Sequence, residues 1–452
     1  MPLIQRPLNG PIDLPRLQRY QPARYPLLLQ SVADGNAQSR WDMLLMTNGE
    51  GLQLSQGETR GLNGQLINLP FLDALDIQFE KNRSSHRHAL PFSGGWAVYL
   101  GYELAGQVEP SLRLPGFAGP LPDALALRCP AAILHDRQTN AFIAVAEQGH
   151  ERLLDAILDD LPKAAAVADF PIWSADVRLT EEPPGQFKQS VGRILEYLKA
   201  GDVFQVNISR AWRGVSAHAD AHALYHRLCT LNPSPFAGFM QFADWSLISS
   251  SPERLVSVRD GVVQTRPIAG TRPRLPDDNE LDKIKELIGH PKERAEHVML
   301  IDLERNDLGR VCVPGSVHVD ELMSIESYRH VHHIVSNVSG RLAPDRTPGQ
   351  IIAAVFPGGT ITGCPKVRCM QIIAELEQTG RGPYTGALGY INRNGSMDLN
   401  ILIRSLWLSE GRLELRAGAG IVVDSEPEHE LQETRAKAKG LLRALGAAES
   451  LR

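Results

Sequence analysis

Apolar and polar positions along this chain change period more than once. Over roughly the first 160 residues, short apolar runs such as YPLLLQSV, WDMLLM and GGWAVYLGYEL are broken by Gly, Pro and Asn, a pattern that predicts strands and tight turns. From Leu153 to Val167 the pattern turns helical, and Pro171 followed by EEPPG at 181–185 predicts a linker. The chain therefore divides into a sheet-rich region, 1–170, and a second region, 185–447.

In the second region helix and strand patterns alternate. FKQSVGRILEYLKAGDVFQVNISRAW carries an apolar stripe (Val191, Ile194, Leu195, Leu198) that stops at Gly201 and passes into a strand. ERAEHVMLIDLERNDLG, KVRCMQIIAELEQTG and HELQETRAKAKGLLRAL read as helices, while LISSSPERLVSV, TGALGYI, MDLNILIRSLW and LELRAGAGIVV read as strands. Many of these strands are joined by turns and not by crossover helices, so the expected class is α+β with large antiparallel sheets.

Composition narrows the function. With 452 residues, 43% hydrophobic and 22% charged, the chain is long enough for one large domain or two sharing a core. A net charge of −5 with scattered Lys and Arg argues against nucleic acid as a partner. No apolar run approaches the roughly 20 residues that span a bilayer, and MPLIQRPLNGPIDLPRLQRY lacks a signal core, so the expected location is the cytoplasm. Five cysteines without paired spacing read as free thiols, with Cys364 and Cys369 as small packed residues.

Candidate chemistry concentrates in a few segments. In AGAGIVVDSEPEHELQETRAKAK, Gly418 and Gly420 leave backbone amides open to a ligand carboxylate. Ser425 and Glu428 have capping-box spacing, predicting a helix from about Glu426 with Glu430, Glu433 and Lys437 on neighbouring turns. Carboxylates at i and i+3 without His or Cys favour Mg²⁺ over zinc, and Glu296 on the helix of HPKERAEHVMLIDLERNDLGR is a candidate third ligand. The run DLERNDLGR itself reads as salt bridges and a turn. In FPGGTITGCPKVR, glycines before Thr360 and Pro365 at a helix start suit an anion, although a plain tight turn explains Gly358 and Gly359 equally well. His332 and His333, adjacent on a strand after His330, point to opposite faces, so only one can serve a given pocket. Arg404, read inside a strand among apolar neighbours, requires an anion opposite it, from substrate or protein.

Taken in order, SSSPERL, PIAGTRPR, RAEHVML, DLERNDLGR, VHHIVSNVSG, FPGGTITGCPKVR, GPYTGALGY, DLNILIRS and AGAGIVVDSEPEHELQET closely resemble the chorismate-utilising family, over roughly Phe187 to Leu445. The resemblance implies two large antiparallel sheets packed as a sandwich, helices around them, and an active site deep between. It implies Mg²⁺ at Glu296 and Glu433 with Glu430 near, holding the ring carboxylate of chorismate. It also implies Arg404 and Tyr384 on the enolpyruvyl carboxylate, helped by backbone at Gly418, Ala419 and Gly420. Thr360, Lys437, Ala269, Gly270 and Thr271 match further pocket positions. His333 matches the histidine beside the reacting ring, and Glu253 the acid at the departing hydroxyl.

Within the family, YPLLLQS, SRWDML, GGWAVYLGYEL, GDVFQVN and DLNILIRS resemble aminodeoxychorismate synthase, which implies 4-amination on the way to para-aminobenzoate and folate. Ala269 departs from the lysine that the best-known of those enzymes carry, and is shared with anthranilate synthases. LLLQS also partly resembles the LLES element of their tryptophan site, so anthranilate synthase is the alternative. The chain carries no GxCxG nucleophile arrangement, so it is expected to depend on a separate glutaminase partner or on free ammonia.

Overall fold

Alternation of inward and outward side chains on long strands builds two antiparallel sheets, each twelve-stranded among the described residues. The computed structural model describes residues 3–33, 40–173, 177–273, 291–327 and 331–447. The expected α+β sandwich is what forms. The strand Gly95–Leu100 shows why: Ala97 and Tyr99 turn into the core between the sheets, while Trp96, Val98 and Leu100 turn outward under helices. It is buried on both faces, so its sequence is apolar throughout. The helices Leu14–Tyr20, Arg152–Ala165, Ala221–Leu231 and Pro427–Leu445 pack outside the first sheet, and Phe71–Asn82 and Pro348–Val355 outside the second.

Each sheet takes strands from both sides of the linker. In the first, Leu27–Gln30 pairs with Phe236–Phe242; in the second, Gly95–Leu100 pairs with Ala387–Asn392. A buried ion cluster adds a tie, since Glu147 accepts from Arg128 at 2.7 Å and from Arg393 at 2.8 Å. The two halves of the sequence thus share one core.

Most helices follow the sequence pattern. Pro184–Ala200 ends at Gly201 with φ 80°, the left-handed cap that a glycine there predicts. Three expectations fail. LISSSPERLVSV is not one strand: it divides between Trp245–Ser251 and Arg254–Arg259, which lie in different sheets. The helix Pro427–Leu445 does start after Glu426, but no capping box forms. The Ser425 hydroxyl turns back to accept from the Val422 N–H at 3.1 Å, and Glu428 is engaged by Lys188 and Gln432. Nor is MDLNILIRSLW one strand: it splits into Met397–Ile401 and Ser405–Ser409, with Arg404 at φ 50° between them. The two pieces belong to different sheets.

Because pairing across the linker closes both sheets, residues 3–173 and 184–447 expressed separately should each lack the cooperative thermal transition of the whole chain, followed by near-ultraviolet circular dichroism. A sharp transition in either fragment alone would contradict the shared core.

Candidate active site

Two neighbouring segments carry the chain from one sheet to the other. Trp245–Ser251 lies in the first sheet and Arg254–Arg259 in the second, so Pro252 and Glu253 form one crossing. Leu402 to Arg404 form the other, in the opposite direction. Backbone bonds lock the crossings together: Ile401 N–H donates to Glu253 O at 3.0 Å and Ser250 N–H to Arg404 O at 3.1 Å. Sequence alternation alone places both side chains on strands; the structure places them where the sheets exchange chain.

Glu253 is 6% exposed, and its Oε1 accepts from the Thr360 hydroxyl at 2.8 Å. Burial pushes its carboxyl up to about 7, outweighing Thr360, the Ile268 N–H and the charges of Lys437 and Arg404. Thr360 sits on the short turn Gly359–Ile361, which follows the FPGG glycines. The Arg404 guanidinium has no hydrogen-bond or ion-pair partner among the described residues; burial lowers its pKa, opposed by the charge of Glu253. A desolvated, unpaired guanidinium is a prepared anion site.

The glycine strand Arg412–Ile421 forms the adjacent wall, paired with Gln205–Val215. A Cβ on Gly418 would stand 2.6 Å from the Tyr384 hydroxyl and 2.8 Å from Asn207 Oδ1, and one on Gly420 would stand 2.3 Å from Gln205 Nε2. The space that glycine leaves here is therefore taken up first by these side chains. Ala419, between them, points the other way into a packed cluster. Tyr384 is buried, which raises its hydroxyl to about 12 despite the nearby charge of Arg381. Beneath it Glu377 binds both Arg381 (2.7 Å) and Arg416 (2.9 Å). Burial alone would raise the Glu377 carboxyl, but those two guanidinia hold it below its ordinary value. The Arg381 guanidinium also lies over the Tyr384 ring at 5.5 Å, so the network fixes the tyrosine.

Two sets of carboxylates stand beside this wall, Glu296 on one helix and Glu430 with Glu433 on another. Gln205 donates to Glu296 Oε1 at 2.8 Å, bringing the helix Pro291–Gly309 against the glycine strand. Glu430 is buried and raised by that burial, opposed by Ser425 and reinforced by the charge of Glu433. Glu433 pairs with Lys437 at 2.7 Å, and the Lys437 charge reaches both Glu253 and Glu430. These are hard oxygen donors, and a divalent cation would offset the repulsion that raises Glu430. Among the described residues no three metal-capable side chains form a ready-made cage, so ligands beyond the protein would have to complete such a site.

His333 is buried in the strand Val331–Arg341, opposite Thr271 in register. Gly270 makes a bulge with φ 72°, a conformation that favours glycine. The backbone of Ala269 pairs with Ile334, while the side chains of Ala269, Thr271 and His332, and all of His330, lie outside the described residues. Away from this wall, the Ser31 hydroxyl of LLLQS donates to Pro235 O at 3.0 Å and Trp41 begins a paired strand.

Sequence reasoning missed Gln205 and Asn207, whose signal was their alternation on one face of a strand, Asn207 opposite Gly420 and Gln205 opposite Cys364. It also read DLERNDLGR as salt bridges. Lys366–Asp307 (2.6 Å) and Arg305–Asp302 (2.8 Å) bear that out, yet Glu304 within it is buried.

The family of chorismate binding enzymes matches residues 37–443. An anthranilate synthase component I-like protein of Synechocystis is 42% identical over 82% of this chain and 76% of its own length. Aminodeoxychorismate synthase component 1 of Bacillus subtilis is 40% identical over 84% of this chain and 83% of its own. The crystal structure of anthranilate synthase component I from Streptococcus pneumoniae superposes with a TM-score of 0.81 at 32% identity, covering 90% of this chain and 93% of that one.

A carboxyl raised from about 4.5 to about 7 costs stability as pH rises through that interval, because the unfolded chain ionises first. Glu253→Gln should therefore be more stable than the native chain at pH 8, by roughly 3 kcal/mol at most, with the gain gone at pH 4; denaturant melts at both pH values measure it. An equal effect at both would refute the raised acid.

Proposed function

Since the chain belongs to the chorismate binding enzyme family and is a chorismate-utilising enzyme, we propose that it is the synthase subunit of an aminodeoxychorismate synthase, making 4-amino-4-deoxychorismate from chorismate and ammonia. The observation that carries the reading of the chemistry is the pairing of a buried, protonatable Glu253 with an unpartnered Arg404 on adjacent crossings. Chorismate carries two carboxylates and a ring hydroxyl that must leave.

Arg404 takes the enolpyruvyl carboxylate, with the Tyr384 hydroxyl and the backbone of Gly418 to Gly420 beside it. Glu296 and Glu433, with Glu430 near, hold Mg²⁺, which when bound would neutralise the ring carboxylate and fix its position. Glu253, held by Thr360, delivers its proton to the departing hydroxyl, so that water leaves. Ammonia then forms the new C–N bond and gives up a proton, which balances the exchange. His333 lines the same region as a second proton-handling group. Ala269 has only a methyl group and forms no bond to carbon, so ammonia attacks directly in place of a lysine adduct. Ammonia comes from a separate glutaminase subunit, and the work of both is cytoplasmic, toward para-aminobenzoate. Among the described residues no helix is long and apolar enough to cross a membrane.

The second reading is anthranilate synthase, favoured by Ala269 and by the relatives and solved structure of that name. A non-catalytic binding protein is the third, and is disfavoured because each proposed role has a competent side chain.

Purified protein given chorismate, Mg²⁺ and ammonium should yield a non-fluorescent amino product; fluorescent anthranilate formed without added lyase would overturn 4-amination in favour of 2-amination. Glu296→Gln and Glu433→Gln should each raise the Mg²⁺ concentration for half-maximal turnover by roughly tenfold or more, with melting temperatures little changed. An unaltered Mg²⁺ dependence in both would remove these residues from the metal.

A further inference from the structure

At the edge of the first sheet that ends in the strand Arg178–Glu181 lies a cavity of about 680 Å³. Its floor is one face of four neighbouring strands, and their register sets the side chains in two rows. Trp407, Glu414, Arg213 and Thr180 are direct partners in turn across the first row. Two residues along the strands, Arg412, Val215 and Arg178 make the second. The roof comes from residues 116–119 and from Gln378 to Gly380, which follow the helix Lys366–Glu377. A Cβ on Gly380 would stand 2.5 Å from Phe117 Cα, so these two segments close on each other. Phe117 also meets the Trp407 ring edge-on, with 6.3 Å between centroids, which gives the cavity an aromatic end.

Charge is unevenly placed in this cavity. Three guanidinia and one carboxylate line it, and Arg213 is paired with Glu414 at 2.7 Å. The other two are uncommitted. The Arg178 guanidinium has no ion-pair or hydrogen-bond partner among the described residues, and Arg412 reaches only the exposed Glu410, at 3.8 Å. Both flank Val215, one strand to either side of it. Neighbouring strands are about 4.8 Å apart, so the two Cα atoms lie roughly 10 Å from each other with their side chains on the same face. Two guanidinia in that relation repel, and one carboxylate between them answers both. Val215 itself is 52% exposed, an apolar surface with a cation on each side.

We propose that this cavity is a second binding site, for a small carboxylate with a flat apolar body: Arg178 and Arg412 take the carboxylate over Val215, and the body lies toward Trp407 and Phe117. Its size favours a small molecule over a protein segment, since pockets for such ligands run from roughly 300 to 1,000 Å³. The site is separate from the one described above. Along one face of the strand Arg412–Ile421 the order is Arg412, Glu414, Arg416, Gly418 and Gly420, and Arg416 is bound into the closed Glu377 cluster. That cluster stands between the cavity and the glycine wall, so the two sites fill independently.

The test is calorimetric titration of 2-naphthoate into the full chain without Mg²⁺, which needs no turnover and so stands apart from the proposed function. The native chain should bind one equivalent saturably. Arg178→Gln and Arg412→Gln should each raise the dissociation constant about tenfold or more, because each removes a charge-assisted contact. Both side chains are exposed, so melting temperatures should match that of the native chain. Arg404→Gln, in the proposed chorismate pocket, should leave the binding unchanged. 2-Naphthamide keeps the rings without the charge and inorganic phosphate keeps a charge without the rings; each should bind about tenfold more weakly or worse. Absence of saturable binding to the native chain, or binding that neither cavity variant weakens, overturns the site. Binding lost in Arg404→Gln but kept in the two cavity variants puts the ligand in the other pocket and overturns it equally. A glutamate hexapeptide that binds where naphthoate fails overturns it in favour of an acidic segment of another chain.

Discussion

The site depends on two strands leaving one sheet for the other at the same place. Inside an antiparallel ladder a charged side chain faces a packed layer and needs a partner there, as Arg128 finds Glu147 and Arg416 finds Glu377. Where a strand crosses between layers, the ladder is interrupted and a side chain can enter the gap between sheets. Glu253 and Arg404 occupy two such interruptions, joined by main-chain bonds from Ile401 to Glu253 and from Ser250 to Arg404. The backbone at Arg404 adopts φ 50°, costly for a residue with a side chain, and it persists because bonding on both sides specifies it.

That placement sets the electrostatics. A buried carboxyl and a half-buried guanidinium lie within reach of each other's charge, yet they form no ion pair: Glu253 is satisfied by Thr360 and Arg404 is left open. Folding bears the cost of a partly desolvated guanidinium without a partner, which an anion bound there would recover. The deeper Glu377 cluster behaves differently, since Arg381 and Arg416 neutralise it internally and hold Tyr384 and the strand at Ser209 in place. One buried charge set is structural because it is closed; the other is chemical because it is open.

How much of this was legible in the sequence follows from the range over which each signal acts. Helix stripes and the glycine at 201 are local, and they read correctly. Strands that stay in one sheet also read correctly, because burial on both faces leaves an apolar run such as GWAVYL. Arg404 was legible as a buried cation but not as a crossing, since nothing in MDLNILIRSLW marks the residue at which a strand changes partners. Ser425 met the capping-box spacing, yet a tertiary turn at Val422 and the pull of Lys188 on Glu428 outbid the local pattern. Glu304 looked like any acid in a charged run; only the approach of Gly359 and the crossing at Glu253 bury it.

The same geometry explains why position on the ring is hard to read from this site. On the proposed reading, Arg404, the Glu296, Glu430 and Glu433 carboxylates and the glycine strand would act on charges that chorismate carries whichever carbon is aminated. On the same reading Glu253 would serve a departing hydroxyl in either case. Selection between carbons would then have to come from uncharged contacts that tilt the ring or admit ammonia on one side, of the kind that Asn207 and Gln205 could make. Such contacts differ by a few atoms and leave the buried charges untouched, so relatives of about 40% identity bear the names of different aminations around one common scaffold.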